Sequence, residues 1–504
     1  MPRPNLLFLY TDEQRYDTLA AYGNPQIQMP NLNRLTERAT VFERTYVTQP
    51  VCTPSRGSLV TGLYPHTHGC IQNNMPLAPA VPALPEMLSA SDWATAHIGK
   101  WHLGDEIYPQ HGFETWLGSE DTYHRFYSAG HEEYADRSAY HYWLKERGVQ
   151  PEREQKLSEQ ELQGQPWARA RFFRDQIHKF PEEVSRPRFL GEKASEYIRE
   201  NAGRPWVCYV NFLEPHMPFH SCRDDQYDPS EVTLPPNYGH EFDASYPLAH
   251  RVQAAGYRAH GLGGQPLATE EHWRQLTARY WGMCSLVDTH IGRILDTLEE
   301  TGQMDNTIIV FTSDHGDMMG SHGLLGKGYG YEEDARVPLV VRLPGQTDGR
   351  LVTGPVSHID LVPTLLEAMD QPRPEHLQGR SLLPLATGEQ DEPDRDVFYE
   401  WNVNPDGENQ GPADLPEHAE GMGTPEQLAA SKADPHRTIV TPDLWKFTLS
   451  RAGEHRLFNL NVDPGETRNL AADATHTARG RDLAGRIRAW QKRTRDIYEM
   501  PRTL

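Results

Sequence analysis

Cys52 stands in the segment Gln49-Pro50-Val51-Cys52-Thr53-Pro54-Ser55-Arg56-Gly57, which combines a nucleophile, a fixed cation and a helix start. Thr53 is suited to cap a helix, its side-chain oxygen accepting from a free N–H of the first turn. Pro54 then takes the first helical position, where a missing N–H costs nothing. Gly62 can close the helix in a left-handed conformation. Cys52 is thereby placed just before a helix N-terminus, whose dipole favours negative charge. Arg56, one turn on, adds a permanent cation. Such surroundings depress a thiol pKa and make the cysteine a candidate nucleophile. A lone cysteine more often fills a core, so its partners must come from elsewhere in the chain.

Four other stretches offer them. Asp12 and Glu13 follow a short apolar run and are candidate metal ligands, or else a cap for the next helix. Lys100 and His102 are spaced i, i+2, so they share a face if strand geometry persists. A cation beside a titratable imidazole suits anion binding and proton transfer. His216 lies between Pro215 and Pro218. Asp314 and His315 form a second candidate metal pair, and Lys327 follows between Gly326 and Gly328. Asn73 or Asn74 can donate to a bound oxyanion; either one alone equally suits an ordinary turn.

The elements that position these groups read as alternating strands and helices. Asn5 to Tyr10, Trp206 to Phe212 and Asn306 to Ser313 are short continuous apolar runs, as expected of buried parallel strands. A fourth, around Trp93 to Gly104, leaves the core at glycine. Pro30 to Ala39 and Glu192 to Glu200 read as helices. Glu271 to Gly302 is the clearest one, with Leu276, Tyr280, Met283, Val287, Ile291, Ile294 and Leu298 forming one apolar stripe that packs on a sheet. Alternation of this kind predicts an α/β fold with a doubly wound sheet and helices on both faces. Such sheets gather ligands beyond the carboxyl ends of their strands. Asp12, Lys100, His102, His216, Asp314 and His315 all fall at such ends. Together Asp12, Asp314 and His315, with Glu13 as an option, make a divalent-cation site. The carboxylates favour Ca²⁺ or Mg²⁺, and the imidazole leans toward Mn²⁺ or Zn²⁺.

The catalytic unit is expected to span residues 1–375, with insertions at about 119–186 and 223–270 where the periodic pattern is lost. The first insertion reads as a pocket rim or an oligomer contact, and the second as loop. Residues 376–504 form a smaller α+β subdomain. It contains an acidic, Pro/Gly-rich loop at 401–436, an antiparallel hairpin over Trp445–Leu449 and His455–Leu460, and a final helix with Leu483, Ile487 and Trp490.

Length and composition set limits. The 504 residues suffice for a large core, and 37% apolar with 24% charged residues is a globular composition. A formal net charge of −22 repels nucleic acid and anionic membranes. An anionic substrate would therefore need local cations. The five cysteines form no close pair or ladder. The apolar start meets Thr11-Asp12 too soon for a signal peptide, and no run approaches a membrane span, so the cytoplasm is the expected location.

The pattern Cys52-x-Pro54-x-Arg56, followed by Gly57 and the Thr61-Gly62 stop, resembles the signature of the type I sulfatases. Gly99-Lys100-Trp101-His102-Leu103-Gly104 is similar to that family's second characteristic stretch. The order and context of all five stretches resemble the sulfatase branch of the alkaline phosphatase superfamily over most of residues 4–365. Leu457-Phe458-Asn459-Leu460 with Asp463-Pro464-Gly465-Glu466 resembles the family's C-terminus. The resemblance implies an alkaline-phosphatase-like mixed sheet. It implies that a formylglycine-generating enzyme converts Cys52 to formylglycine, whose hydrate is the nucleophile and whose second hydroxyl allows the inorganic anion to be expelled. One divalent cation, Ca²⁺ first and Mn²⁺ or Mg²⁺ as alternatives, would be held by Asp12, Glu13, residue 52, Asp314 and His315. Arg56 would hold the hydrate, and Lys100 and Lys327 would neutralise the transferring group. His102 would take the proton that triggers release, and His216 with Lys327 would assist the leaving oxygen. Asn73 would bind substrate.

There are departures. Many sulfatases carry a second aspartate where Glu13 stands, and Asp-Asn where Asp314-His315 stands. The Asp-His form resembles iduronate-sulfatase-like members and the phosphonate monoester hydrolases. Cleavage of a small sulfate ester is the leading expectation. A phosphonate or phosphate ester is the alternative, and a binding protein with unmodified Cys52 is a third reading.

Overall fold

The computed structural model describes residues 3–89, 92–120, 137–149, 180–262, 267–403 and 415–502. An eight-stranded sheet organises the larger part, in the order β4-β3-β5-β1-β6-β7-β2-β8. Its strands are β1 (Asn5–Asp12), β2 (Thr40–Tyr46), β3 (Ala94–Gly99), β4 (Thr115–Gly118), β5 (Trp206–Pro215), β6 (Thr307–Ser313), β7 (Arg336–Arg342) and β8 (Arg350–Ser357). All neighbours pair in parallel except β7, which is antiparallel to both β6 and β2. The sheet is thus the mixed, doubly wound one anticipated.

Alternation along β1 divides the core. Leu7 and Leu9 face one layer together with Ile309, Phe311, Cys208 and Val210. Leu6, Phe8 and Tyr10 face the other, with Ile308, Val310, Val207 and Tyr209. Successive residues of a strand point to opposite faces, and burial of both faces explains why these strands are apolar without interruption.

Counting helices of seven residues or more, the first layer receives α1 (Pro30–Thr36), α3 (Ala139–Glu146), α4 (Arg186–Glu200) and α6 (Glu270–Glu300). The second receives α2 (Cys52–Thr61) and α7 (Leu361–Ala368). The stripe of α6 is fully buried from Tyr280 through Leu298 at the expected spacing.

Two loop expectations are corrected. The stretch 223–270 contains a helix, α5 (Leu248–His260), whose Val252 and Tyr257 are buried. The stretch 119–186 contains α3, with Tyr140 and Trp143 packed on Phe189 in the main core. Residues 121–136 and 150–179 of that stretch lie outside the described residues. The acidic stretch contains α8 (Pro425–Lys432), capped by Thr424, with residues 404–414 outside the described set.

A second sheet, β12-β11-β10-β9, is antiparallel throughout. It comprises β9 (Val397–Trp401), β10 (His436–Val440), β11 (Trp445–Ser450) and β12 (Arg456–Asn459), covered by α9 (Thr477–Thr494) through Leu483, Ile487 and Trp490. Buried Lys446 on β11 pairs with Glu332 at 3.0 Å and Glu466 at 2.9 Å, fastening this sheet to the turn before β7. Among the described residues no helix is long and apolar enough to cross a membrane.

Candidate active site

Four strands deliver their carboxyl ends to one place, and α2 begins there. Its N-terminus differs from the sequence expectation. Cys52 is the first helical residue and Val51 occupies the cap position without a side-chain bond. Thr53 does not cap; its hydroxyl donates to the His102 carbonyl at 2.8 Å. The cap comes from a distance, with Asn73 Oδ1 accepting from the Thr53 N–H at 3.0 Å. Asn73 therefore serves the helix with its oxygen. Gly62, at φ 70°, closes the helix as anticipated.

Cys52 Sγ lies 3.3 Å from His315 Nε2 and 3.6 Å from Asp12 Oδ1. His315 Nε2 is 3.6 Å from both Asp12 Oδ1 and Asp314 Oδ1. These four buried ligand atoms all lie within 4.8 Å of one another. Two carboxylates, an imidazole and the residue-52 side chain, facing one point inside the protein, fit a single divalent cation.

Glu13, at φ 70°, stands outside these four atoms, and with Asp12 and His216 it forms a second, overlapping buried group whose ligand atoms could hold a metal ion. Its Oε2 sits 3.0 Å from Lys327 Nζ and 3.4 Å from His216 Nε2. Burial lifts the Glu13 carboxyl above its usual range, and Lys327 only partly opposes this.

Arg56 is likewise committed. Its Nε donates to Asp314 Oδ2 at 2.8 Å, Nη2 to Asp12 Oδ2 at 3.0 Å, and Nη1 to the Lys100 carbonyl at 3.0 Å. It braces the two carboxylates of the cation site. Lys100 Nζ reaches Asp12 Oδ2 at 2.5 Å. Burial alone would raise the Asp12 pKa, but Lys100, His216 and Arg56 overcome it and hold the carboxyl well below its usual range.

The Cys52 thiol is a second correction. Burial first, and Asp12 next, push its pKa up rather than down. A helix start and Lys100 do not outweigh loss of water.

The two histidines beside the cations are neutral. Burial, then Lys100 and Arg56, push His102 well below its ordinary value. Burial, then Lys327, does the same to His216. His102 and Lys100 do not share a strand face. β3 ends at Gly99, whose φ of 115° and approach to Asn211 exclude any side chain, a Cβ there meeting the Asn211 carbonyl at 2.0 Å. His102 itself has φ 60°. Its Nε2 lies 2.9 Å from Asn74 Oδ1.

Some participants were invisible in the sequence. Tyr280, counted only as part of an apolar stripe, donates its hydroxyl to the Glu13 carbonyl at 2.7 Å. Asp317 accepts from the N–H groups of Met319 and Gly326, shaping the loop that carries Lys327. Asn211 donates to the Lys100 carbonyl at 3.1 Å.

A family model described as Sulfatase matches residues 4–371. The chain belongs to the sulfatase family. Sulfatases are sulfuric ester hydrolases that in general use a formylglycine and a divalent metal, and the Asp12, Asp314 and His315 cluster has the ligands for one. Relatives include the multifunctional alkaline phosphatase superfamily protein PehA of Trinickia caryophylli, 30% identical, with 97% of this chain and 96% of that protein covered. The N-acetylglucosamine-6-O-sulfatase of Bacteroides thetaiotaomicron is 26% identical, with 98% and 87% covered. The solved phosphonate monoester hydrolase of Silicibacter pomeroyi superposes with a TM-score of 0.74 at 26% identity, covering 98% of this chain and 96% of that one. This sulfatase is thus similar over nearly its whole length to relatives named for both ester classes.

Proposed function

We propose that this chain hydrolyses the sulfate monoester of a small alcohol after Cys52 is converted to formylglycine by a maturation enzyme, with Ca²⁺ as the resident cation. The observation that carries this reading is the convergence of residue 52 with Asp12, Asp314 and His315, inside a ring formed by Lys100, Lys327, His102 and His216. The raised thiol pKa of Cys52 supports it too, since the unmodified side chain is badly placed to ionise. Asp12, Asp314, His315 and residue 52 would hold the cation, which would supply Lewis-acid activation there, and a hydrated aldehyde at residue 52 would supply two hydroxyls on one carbon.

The chain's own groups do the rest. Lys100 and Lys327 offer positive charge to a tetrahedral anion in a surface field that is otherwise negative. His102 is a neutral imidazole on the loop that Thr53 ties to the start of α2, fitted to accept a proton at residue 52. His216, braced by Glu13 and by the Met217 carbonyl, stands on the Lys327 side, where the alcohol leaves. Beyond Lys327 opens a cleft of about 520 Å³ between α5 and the C-terminal sheet, lined in part by Trp401, His436 and Arg456. It suits the alcohol portion of a substrate.

A second reading is phosphonate or phosphate ester hydrolysis on the same residues. The Asp314-His315 pair and the named relatives favour keeping it. Comparing kcat/KM for an aryl sulfate and an aryl phosphonate monoester tests the choice. A higher value for the phosphonate would replace the first reading with the second.

A further inference from the structure

The stretch from Lys100 to His102 leaves its strand and turns left-handed at His102, so something must hold it. Glu106 lies in the loop between β3 and β4 and is fully buried. Its Oε2 accepts from the Trp101 N–H at 2.9 Å and its Oε1 from the His102 N–H at 2.6 Å. One carboxylate therefore spans two consecutive backbone donors at the point where His102 adopts φ 60°. A non-glycine residue is uncommon in that region and persists only where surrounding contacts over-determine it.

Glu106 is itself clamped. The Trp116 indole donates to its carbonyl at 2.9 Å, and Gly118 packs so close that a Cβ there would meet the same carbonyl at 2.1 Å. Both residues belong to β4, the edge of the large sheet. On the other side the Lys100 carbonyl is fixed by Arg56 and Asn211. The turn is thus gripped between the cation site and the sheet edge. Burial lifts the Glu106 carboxyl to about 7, opposed by the two backbone donors, and its ionised form is the one that can accept both.

We propose that Glu106 is a positioning residue whose carboxylate sets the left-handed turn that presents His102 to the site. It touches no reacting atom and acts through His102 alone. The inference rests on the role given to His102 above, but it concerns the turn itself and can fail separately.

The test compares Glu106→Gln, His102→Ala and the double variant in matured, metal-loaded enzyme acting on an aryl sulfate. Glu106→Gln is expected to lower kcat at least about tenfold with KM changed far less, because general acid–base groups contribute roughly a hundredfold or more. In the His102→Ala background, the same change is expected to alter kcat by less than about twofold, the non-additivity of two residues acting as one. A second readout needs neither maturation nor activity. In the unmodified full-length chain the ring resonances of labelled His102 are expected to shift on Glu106→Gln, while those of His216 stay in place. If Glu106→Gln does not fold, Trp116→Phe removes only the indole clamp, with an expected loss in kcat of about fivefold, the scale of one hydrogen bond. Wild-type kcat in the variant that folds, losses that multiply in the double variant, or an unmoved His102 resonance would each overturn the proposal. Should the matured wild-type enzyme prove inactive, the functional reading fails, and the resonance measurement still decides the turn.

Discussion

Cys52 Sγ and His315 Nε2 are 3.3 Å apart although 263 residues separate them in the chain. One belongs to the first turn of α2, the other follows the carboxyl end of β6. The contact exists because β1 and β6 pair in register from Asn5 with Thr307 to Thr11 with Ser313. That register brings Asp12 and Asp314 side by side, and Arg56 bonds to both.

Arg56→Met should destabilise the metal-free protein by about 3–5 kcal/mol, the usual cost of breaking a buried ion pair from one side. The Asp12 and Asp314 carboxylates would be left facing each other without their shared cation. Urea unfolding measures this, and an unchanged midpoint would contradict the bracing role of Arg56.

Cation binding should appear as stability. At a hundredfold excess over Kd, Ca²⁺ should stabilise the fold by about 2.7 kcal/mol. Asp314→Asn should remove most of that gain, whereas Glu13→Gln should leave it largely in place, since Glu13 faces Lys327 instead. Thermal melts with and without chelator check both. Equal loss in the two variants would return Glu13 to the ligand set.

His216→Ala and Lys327→Ala should depend on the leaving group. For an alkyl sulfate, whose alkoxide is a poor leaving group, kcat should fall at least about tenfold further than for a nitrophenyl sulfate. A leaving group that needs no proton gains little from a nearby acid. Identical losses on the two substrates would remove both residues from the alcohol side.

Stability should carry the signature of a buried neutral histidine at position 97. Burial first, and Arg56 second, push His97 down to about 3 from an ordinary 6.5. Its ring stacks on Trp116 at 4.3 Å and lies 2.6 Å from Asn211 Nδ2. The folded pKa lies below the unfolded one, so the unfolded chain binds the extra proton between those values. The contribution is complete above pH 6.5 and is lost as pH falls toward 3. Between pH 6.5 and 5 the wild type should lose roughly 2 kcal/mol more than His97→Phe, at about 1.36 kcal/mol per pH unit. Parallel profiles for the two proteins would mean that His97 takes up its proton in the fold over the same pH range as in the unfolded chain.

The sheet and the stations of the site were legible because buried parallel strands are written as unbroken apolar runs that stop at polar residues. Asn5 to Tyr10 and Thr307 to Ser313 each announce both a strand and the carboxylates at its end. What was hidden follows from physics that spacing does not encode. Val51 as cap, with Asn73 supplying the capping oxygen, depends on a loop folding back across 20 residues. The direction of the Cys52 pKa depends on burial outweighing dipole and cation, and burial depth is a tertiary property. The contact of Glu13 with Lys327, 314 residues on, is likewise tertiary. No spacing in the sequence singles out Glu106, and only the turn at His102 shows what it holds.

The central claim is that residue 52 acts as a formylglycine and not as a thiol. The most direct measurement is turnover of an aryl sulfate per mole of enzyme, across preparations that differ in maturation. It is plotted against the fraction of chains whose residue-52 peptide has lost about 18 Da, the mass change of thiol-to-aldehyde conversion. A straight line through the origin is predicted, with Cys52→Ala at zero turnover. Full turnover in chains that retain the thiol would contradict the account.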